Sequence, residues 1–423
     1  MKQKILTQAI ILLALFTTAT ALQAQVTIGS STPPRVGALL DLTEGATTTH
    51  GLNMPRVELI KLKPTNGAEL AASIGGTGNW ILADHTALAV YNTKADKCAM
   101  PEPIYKGLYV FDGAEWQYLG KKPEPSPEVH TFTDPRDNNT YRYRNFGAIA
   151  GDWMLENLRY IPKAADGFTG FTHTAVAAPA PYTAKYWCYP WKGDGSANPP
   201  YNALQAEADW EPRIGIAYNW PAATNGENTS TVDQGQVSGS TPGANEVETV
   251  KESSLNAKDG KIRGICPVNW HVPSDREWNE LEKELYNNAH LYSQYKDDGS
   301  DDFAPTIWQS SWETIPSWRG STSAKGHGVV MKSECAPPGS TLGSPGGKSL
   351  SAAQGGFDAL LVGANGSAGT FGEIAPFWSA SAGDNTHGWC RSTAPISISS
   401  LIMQVGRIKA GKVPLYPVRC KKD

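Results

Sequence analysis

The sequence predicts an α+β protein in which a small β-rich N-terminal module precedes a larger C-terminal domain. Many short apolar runs separated by turn residues indicate short strands. A single segment, residues 266–285, combines a rigid turn with a strong helix pattern. The 423 residues include 42 glycines, 30 prolines, 14 tryptophans and 16 tyrosines, which is typical of loop-rich β or α+β proteins. This length favours two or three domains.

The first element along the chain is an export signal. Lys2 and Lys4 precede an apolar run over residues 5–16, and small residues suited to cleavage end at Ala24. We therefore expect residues 1–24 to be a signal peptide, because the apolar run is too short to cross a bilayer comfortably. No later segment of the sequence is apolar for long enough to do so. The mature chain is expected outside the cell or on its outer surface, with the periplasm as an alternative.

The next element, residues 25–120, is the β-rich module. Its clearest pattern is a hairpin in which Asp112 and Gly113 form a tight turn between two aromatic strands. Residues 121–130 carry prolines at alternate positions, which favours an extended linker over a sheet interior. The second domain is therefore predicted over residues 131–423. We expect the module to serve in attachment or spacing.

The helix of the second domain has the strongest local signals of the chain. Pro273 disfavours helix at the preceding residue, so the helix starts after it. Ser274 then serves as the N-cap, and Glu277 completes a capping box. Trp278, Leu281 and Leu285 follow at helical spacing and predict one buried face, with the helix ending at residue 286 or 287.

The rest of the second domain is predicted as short strands and loops. Alternation at residues 140–144 indicates a half-buried strand, and the polar residues 225–260 indicate a surface excursion. Four further strands are expected near the C-terminal end of the chain, at residues 356–363, 375–381, 398–405 and 413–420. Several short strands and one firm helix together support the α+β class.

Charge and cysteine content restrict the function classes. The net charge is −4, so the sequence has no basic bias that would favour nucleic acid or anionic lipid as a partner. No C-x-x-C pair occurs, and in an exported chain disulfides are the default state of cysteine. Six cysteines allow 15 connectivities, among which the residues alone do not decide. The cysteines are Cys98, Cys188, Cys266, Cys335, Cys390 and Cys420.

Several short motifs in the second domain carry a resemblance. In order they are residues 153–158 (WMLENL), 218–223 (YNWPAA), 264–274 (GICPVNWHVPS) with Trp278, 377–379 (FWS) and 418–420 (VRC). Together they resemble the Fibrobacter succinogenes major paralogous domain family over residues 131–423. The family resemblance implies a C-type-lectin-like fold, here with loop insertions, on an exported protein of a Bacteroidetes-type bacterium. Some relatives of this kind are binding domains on cell surfaces or at pilus tips.

The resemblance also implies a disulfide. In lectin-like domains a cysteine near the helix is joined to one in the final strand, and Cys266 and Cys420 occupy those places. Closing so long a loop is worth about 5 kcal/mol in the chain-entropy model, less any strain. A Cys335–Cys390 bond is the next expectation. Cys98 and Cys188 are left either paired or unpaired.

The expected function is non-catalytic, adhesin-like binding of an extracellular glycan or protein, without a cofactor. The candidate surface lies within residues 379–399, where polar side chains surround an aromatic ring and a guanidinium, a mixture suited to recognition. Its candidate ligand-binding residues are Asp384, Asn385, His387, Trp389, Arg391 and Ser392.

Metal binding has little support in the sequence. His271 has no second ligand at suitable spacing, and the calcium motifs of sugar-binding lectins are missing from the sequence. An acidic segment could collect calcium, although such a segment is more often a solvated loop. Its carboxylates are Asp297, Asp298, Asp301 and Asp302.

Two alternative functions remain. The chain could be a structural subunit of a pilus or the cell envelope, docking through its N-terminal module. It could also be an enzyme on a fold like that of the formylglycine-generating enzyme, although no cysteine pair is spaced for that chemistry. The sequence contains no nucleophile elbow, zinc-protease motif or phosphate loop.

Overall fold

A computed structural model describes residues 26–27, 40–42, 51–100, 102–175, 181–191, 202–235, 242–243, 261–296, 307–322, 326–340, 345–364, 370–394 and 403–423. These residues form a mixed α+β structure in which sheets dominate, and the predicted α+β class is confirmed. The predicted signal peptide and the acidic segment around Asp297 lie outside the described residues. None of the described helices is long and apolar enough to cross a membrane.

The strands are short and are numbered here in chain order. They are β1 Val26–Thr27, β2 Leu40–Asp41, β3 Arg56–Val57, β4 Ala89–Asn92, β5 Gly107–Phe111, β6 Trp116–Tyr118, β7 Val129–Thr133, β8 Thr140–Asn145, β9 Asp152–Met154, β10 Phe171–His173, β11 Lys185–Cys188, β12 Ala217–Tyr218, β13 Trp270–His271, β14 Trp318–Arg319, β15 Ala375–Ala382, β16 His387–Thr393, β17 Val405–Gly411, β18 Tyr416–Pro417 and β19 Lys421–Lys422.

The helices are mostly single turns. The α-helices are α1 Gly67–Ser73, α2 Gly147–Ala150, α3 Ala203–Ala208, α4 Trp220–Ala223, α5 Asp275–Asn287, α6 Ala289–Tyr292, α7 Ser310–Glu313 and α8 His327–Met331. Short 3₁₀ helices occur at Ala83–His85, Ala164–Asp166, Pro212–Ile214 and Ala352–Gln354.

The strands pair into five sheets within the described residues. Strands β1 and β2 form a parallel pair, and the N-terminal module has the sheet order β3-β4-β5-β6. The remaining sheets have the orders β7-β8-β9-β19-β13, β10-β11-β12-β18 and β15-β16-β17-β14. The predicted hairpin at Asp112 and Gly113 is confirmed, because β5 and β6 pair antiparallel on either side of it.

Helix α5 organises the core of the C-terminal part of the chain. The Ser274 side chain accepts a hydrogen bond from the Glu277 amide, and the Glu277 carboxylate accepts one from the Ser274 amide, so the predicted capping box is confirmed. The buried ring of Trp278 lies 4.9 Å from that of Trp153 and 5.6 Å from that of Phe377. Leu281 and Leu285 are also fully buried. The apolar face predicted from helical spacing therefore packs against two different sheets.

The end of the chain returns to the start of this core. Strand β19 pairs with β9 on one side and with β13 on the other. The Cys266–Cys420 disulfide implied by the resemblance is present, at a sequence separation of 154 residues. The crosslink therefore ties the entry to helix α5 to the last strand of the sheet.

Four predictions near the C-terminal end need correction. The strand predicted at 413–420 is reduced to β18, Tyr416–Pro417. Residues 356–363 do not form a strand, because only Ala359 makes a bridge there, to Lys332. Residues 387–393, predicted as part of the candidate ligand surface, form β16 at the interior of a four-stranded sheet. The predicted strand at 398–405 lies largely outside the described residues, and the strand observed there runs over Val405–Gly411.

The second disulfide joins the two parts of the chain. Cys98 of the N-terminal module is bonded to Cys335, so the expected Cys335–Cys390 bond is wrong. Cys390 carries a reduced thiol inside β16. Cys98 packs with Met100 against Ile214 and neighbouring apolar side chains of the C-terminal part. Contacts between the two parts, which local sequence patterns do not report, decide the pairing.

Candidate functional site

The accessible part of the predicted ligand surface is the tip of the β15–β16 hairpin, residues 384–387. Asp384 organises it, because one carboxylate oxygen accepts hydrogen bonds from the Thr386 amide at 2.7 Å and the His387 amide at 2.8 Å. The His387 ring nitrogen Nδ1 lies 2.9 Å from the same oxygen. The side chain of Asn385 is exposed to solvent. The tip therefore presents polar groups on a backbone held by its own side chains.

Two neighbouring groups set the electrostatics of the hairpin tip. Lys409 of β17 lies 3.1 Å from the second oxygen of Asp384 and 3.4 Å from Asp233. Partial burial opposes ionisation of Asp384, but hydrogen bonds from His387, Thr386 and Lys409 outweigh it and hold its pKa below the ordinary value. Asp384 is therefore ionised and paired at neutral pH.

The other three predicted ligand residues are not on the surface, and this part of the prediction is corrected. Trp389 is 2 % exposed, Arg391 is 0 % exposed and Ser392 is 5 % exposed. The indole nitrogen of Trp389 donates to Asp233 at 2.9 Å. The polar composition suggested an exposed surface, but these residues lie within β16, where the buried polar groups of Trp389 and Arg391 pair with carboxylates.

Arg391 belongs to a group of six fully buried ionisable side chains, called here the buried ion cluster. Its Nη1 donates to Asp275 at 2.6 Å and its Nε donates to Glu282 at 2.5 Å. Arg407 pairs with Asp275, and Arg319 pairs with Glu282 at 2.5 Å. The members are Asp275, Glu282, Arg319, His327, Arg391 and Arg407.

The buried ion cluster keeps its carboxylates charged. Burial alone would raise the pKa of Glu282, but Arg319, Arg391 and His327 outweigh it and hold that pKa well below the ordinary value. Burial also opposes ionisation of Asp275, but Arg391 and Arg407 outweigh it and lower the pKa of that carboxyl group. Burial lowers the pKa of His327, whose Nε2 lies 2.9 Å from Glu282. These carboxylates are therefore committed to ion pairs and are poor proton donors.

A second buried histidine lies at the start of helix α5. His271 Nδ1 is 2.7 Å from Asp423, and its Nε2 is 3.0 Å from both oxygens of Glu277. Sequence spacing missed both partners, since Asp423 lies 152 residues away and Glu277 is already used by the capping box. Across the described ranges, no group of three or more His, Cys, Asp and Glu side chains is placed to hold a metal ion.

An aromatic face on β10 and β11 was not identified from the sequence. The His173 and Trp187 rings stack at 4.1 Å, and Tyr189 packs edge-on against both. The Tyr189 hydroxyl lies 3.3 Å from Glu207. Trp187, Tyr189 and Trp191 alternate in the sequence, and this period of two is the signal that would have placed their rings on one side of a strand.

Two cysteines lie outside the two disulfides. Cys188 and Cys390 are both buried and form no disulfide. Burial raises the pKa of the Cys390 thiol to about 12, so it stays protonated at neutral pH.

Comparison with known proteins gives two family matches. The model of the Fibrobacter succinogenes major domain matches residues 149–422. A model described as a phage tail like trimerisation region matches residues 27–133. No curated protein and no solved structure matches the chain significantly.

Proposed function

Because this chain belongs to the Fibrobacter succinogenes major domain family, we propose that it is an exported, non-catalytic binding protein with a lectin-like C-terminal domain. Its two matches are those of a surface or structural protein. Two disulfides suit a compartment outside the cytoplasm, and the signal peptide expected at residues 1–24 would deliver the chain there. The proposed ligand is an extracellular glycan or protein.

The observation that carries this proposal is the geometry of the hairpin tip. Asp384 fixes the backbone of Thr386 and His387, while the Asn385 side chain stays exposed. Polar groups held in advance of binding lose little entropy when a ligand arrives. The tip extends from a sheet in which β16 and β17 contribute Arg391 and Arg407 to the buried ion cluster. The hairpin tip therefore combines a fixed backbone with an exposed side chain that can form hydrogen bonds to a ligand.

The enzyme alternative has less support. The carboxylates of the buried ion cluster are paired with arginines and inaccessible to a substrate. The Cys390 thiol is buried and protonated, whereas a nucleophilic cysteine needs an accessible thiolate. A deep, reactive site is therefore a weaker interpretation of these residues than an exposed recognition surface.

A second role, structural assembly, is favoured by the N-terminal match. Residues 27–133 resemble a trimerisation region, and this module carries several exposed apolar side chains of the kind that oligomers bury. Ile60 is 69 % exposed, Ile81 is 64 % exposed and Leu52 is 65 % exposed. The module would hold three copies together, and trimeric display would raise avidity for a multivalent ligand.

The proposed binding role can be tested with the oxidised full chain on glycan and protein arrays. The Asn385→Ala/His387→Ala variant should lose at least about tenfold in affinity for any ligand found, which corresponds to ~1.4 kcal/mol. An Asn53→Ala/His130→Ala variant removes the same two side-chain types from exposed positions elsewhere and should bind normally. Equal affinity of both variants would remove the hairpin tip from the ligand site. Failure to bind any arrayed ligand would count against the binding role itself.

A further inference from the structure

The N-terminal module contains a cleft beside the edge strand β6. It encloses about 50 Å³, far below the roughly 300–1,000 Å³ of pockets for small molecules. Every lining residue lies within the region that resembles a trimerisation region. The lining comprises Leu62, Lys63, Glu102, Pro103, Tyr105, Tyr109, Glu115, Trp116, Gln117, Tyr118 and Lys122.

Aromatic rings form the floor of this cleft. The ring of Tyr118 lies 5.2 Å from that of Tyr105 and 5.1 Å from that of Tyr109. The Tyr118 hydroxyl donates to the Lys106 carbonyl at 3.2 Å, and the Tyr109 hydroxyl accepts from the Tyr105 amide at 2.8 Å. The tyrosines are therefore held in place before anything binds. Tyrosine and tryptophan are enriched at the centres of protein interfaces.

The rim of the cleft is charged but neutral overall. Lys63 pairs with Glu115 at 2.9 Å, and Lys122 pairs with Glu102 at 3.0 Å. The charges of the two lysines and the two glutamates cancel, so the rim has no electrostatic preference for an anionic or a cationic ligand. A small aromatic hollow inside a balanced polar rim suits one apolar side chain from a protein surface.

Trimer geometry requires a second, different patch on the same module. A closed ring of three copies uses heterologous contacts, in which one patch of each copy meets another patch of its neighbour. The consecutive residues Trp80, Ile81 and Leu82 provide such a patch: Ile81 is 64 % exposed, and the flanking two are partly exposed. Trp80 is held by stacking on His85 at 4.6 Å, and none of the three lines the cleft.

We propose that this cleft is a socket for a second copy of the chain and that Ile81 of that copy is the side chain it receives. The inference rests on the trimeric assembly proposed above and names its contact surfaces. One socket and one projecting side chain per copy generate three identical contacts when the ring closes.

Disulfide trapping tests this contact directly. In the Ile81→Cys/Gln117→Cys variant, mild oxidation should link each copy to the next and give a covalent trimer on a non-reducing denaturing gel. Each single cysteine variant should give no crosslink, because a heterologous contact brings unlike positions together. The Ile149→Cys/Gln117→Cys variant is the matched control, since Ile149 is 75 % exposed and lies outside the module match. It should also stay uncrosslinked.

Light scattering on the uncrosslinked proteins separates the two proposals. The unmodified chain should have three times the monomer mass. The Ile81→Asp variant should have the mass of a monomer, and the Ile149→Asp variant should have the same mass as the unmodified chain. A monomeric unmodified chain would overturn the trimer and the socket together. The socket alone would be overturned if the Ile81→Asp variant remained trimeric and the Ile81→Cys/Gln117→Cys variant gave no covalent trimer. Crosslinking of a single cysteine variant would indicate a like-with-like contact and would also overturn it.

Discussion

At the scale of single residues, His271 connects the end of the chain to the start of helix α5. Its two ring nitrogens lie between the carboxylates of Asp423 and Glu277, and Lys421 adds a contact to Glu277 at 3.0 Å. Burial opposes protonation of the ring, but Glu277 and Asp423 outweigh burial and raise the pKa of His271 above its ordinary value. Protonation therefore strengthens the contact between β19 and the helix.

The raised pKa of His271 predicts that the stability of the fold depends on pH. Because the folded-state pKa is raised, the contribution of His271 should be complete below the ordinary histidine pKa of about 6.5 and should disappear as pH rises through the folded value. Urea unfolding between about pH 6 and about pH 9 should therefore show a decline in stability that the His271→Gln variant lacks. His130→Gln, at an exposed position, should keep the decline. Identical pH profiles for all three proteins would contradict this assignment.

At the scale of elements, the buried ion cluster attaches helix α5 to a sheet. Asp275 and Glu282 are seven residues apart and face the same side of the helix. Three neighbouring strands, β14, β17 and β16, each contribute one arginine. Arg391 and Arg407 are direct cross-strand partners, which would repel each other without the carboxylate of Asp275 between them. The helix therefore supplies the charges that allow these strands to pair.

Removing one arginine should be costly, because it leaves a carboxylate buried without its partner. Arg391→Ala should destabilise the fold by about 3–5 kcal/mol, the range for a broken buried ion pair. Arg142→Ala breaks an ion pair with Glu156 in which the arginine side chain is 45 % exposed, and it should cost no more than about 1 kcal/mol. Urea denaturation measures both variants. A similar small loss for both would mean that the cluster does not hold the helix to the sheet.

The same elements show what a sequence can predict. Helix α5 was predicted to within one residue of its end, because its proline, its cap and its apolar spacing are local signals. Strand β16 was missed, since Arg391 looks solvent-exposed until the carboxylates of α5 are placed beside it. Asp384, Asn385 and His387 were placed correctly at the surface because turn residues are recognisable locally. The binding role assigned to them remains a proposal.

At the scale of the whole molecule, the N-terminal module and the C-terminal part are joined by a crosslink and a small contact. The Cys98–Cys335 disulfide closes a sequence separation of 237 residues. Beside it, Lys97 pairs with Glu334 at 2.6 Å, although the lysine side chain is 68 % exposed. Such an ion pair contributes less than about 1 kcal/mol. No local pattern revealed this connection, because a pairing between domains depends on how they dock.

The disulfide should therefore control how the two parts move relative to each other. In the Cys98→Ser/Cys335→Ser variant, we expect the Lys97–Glu334 ion pair and the small apolar contact beside it to be too weak to hold the module in place. The exposed prolines of the linker favour an extended connection between the two parts. Small-angle X-ray scattering should show a larger radius of gyration than for the unmodified chain. The Lys97→Ser/Glu334→Ser variant keeps the crosslink and should stay as compact as the unmodified chain. If the cysteine variant is equally compact, the apolar contact of Cys98 and Met100 with Ile214 is sufficient to fix the module, and the disulfide only reinforces it.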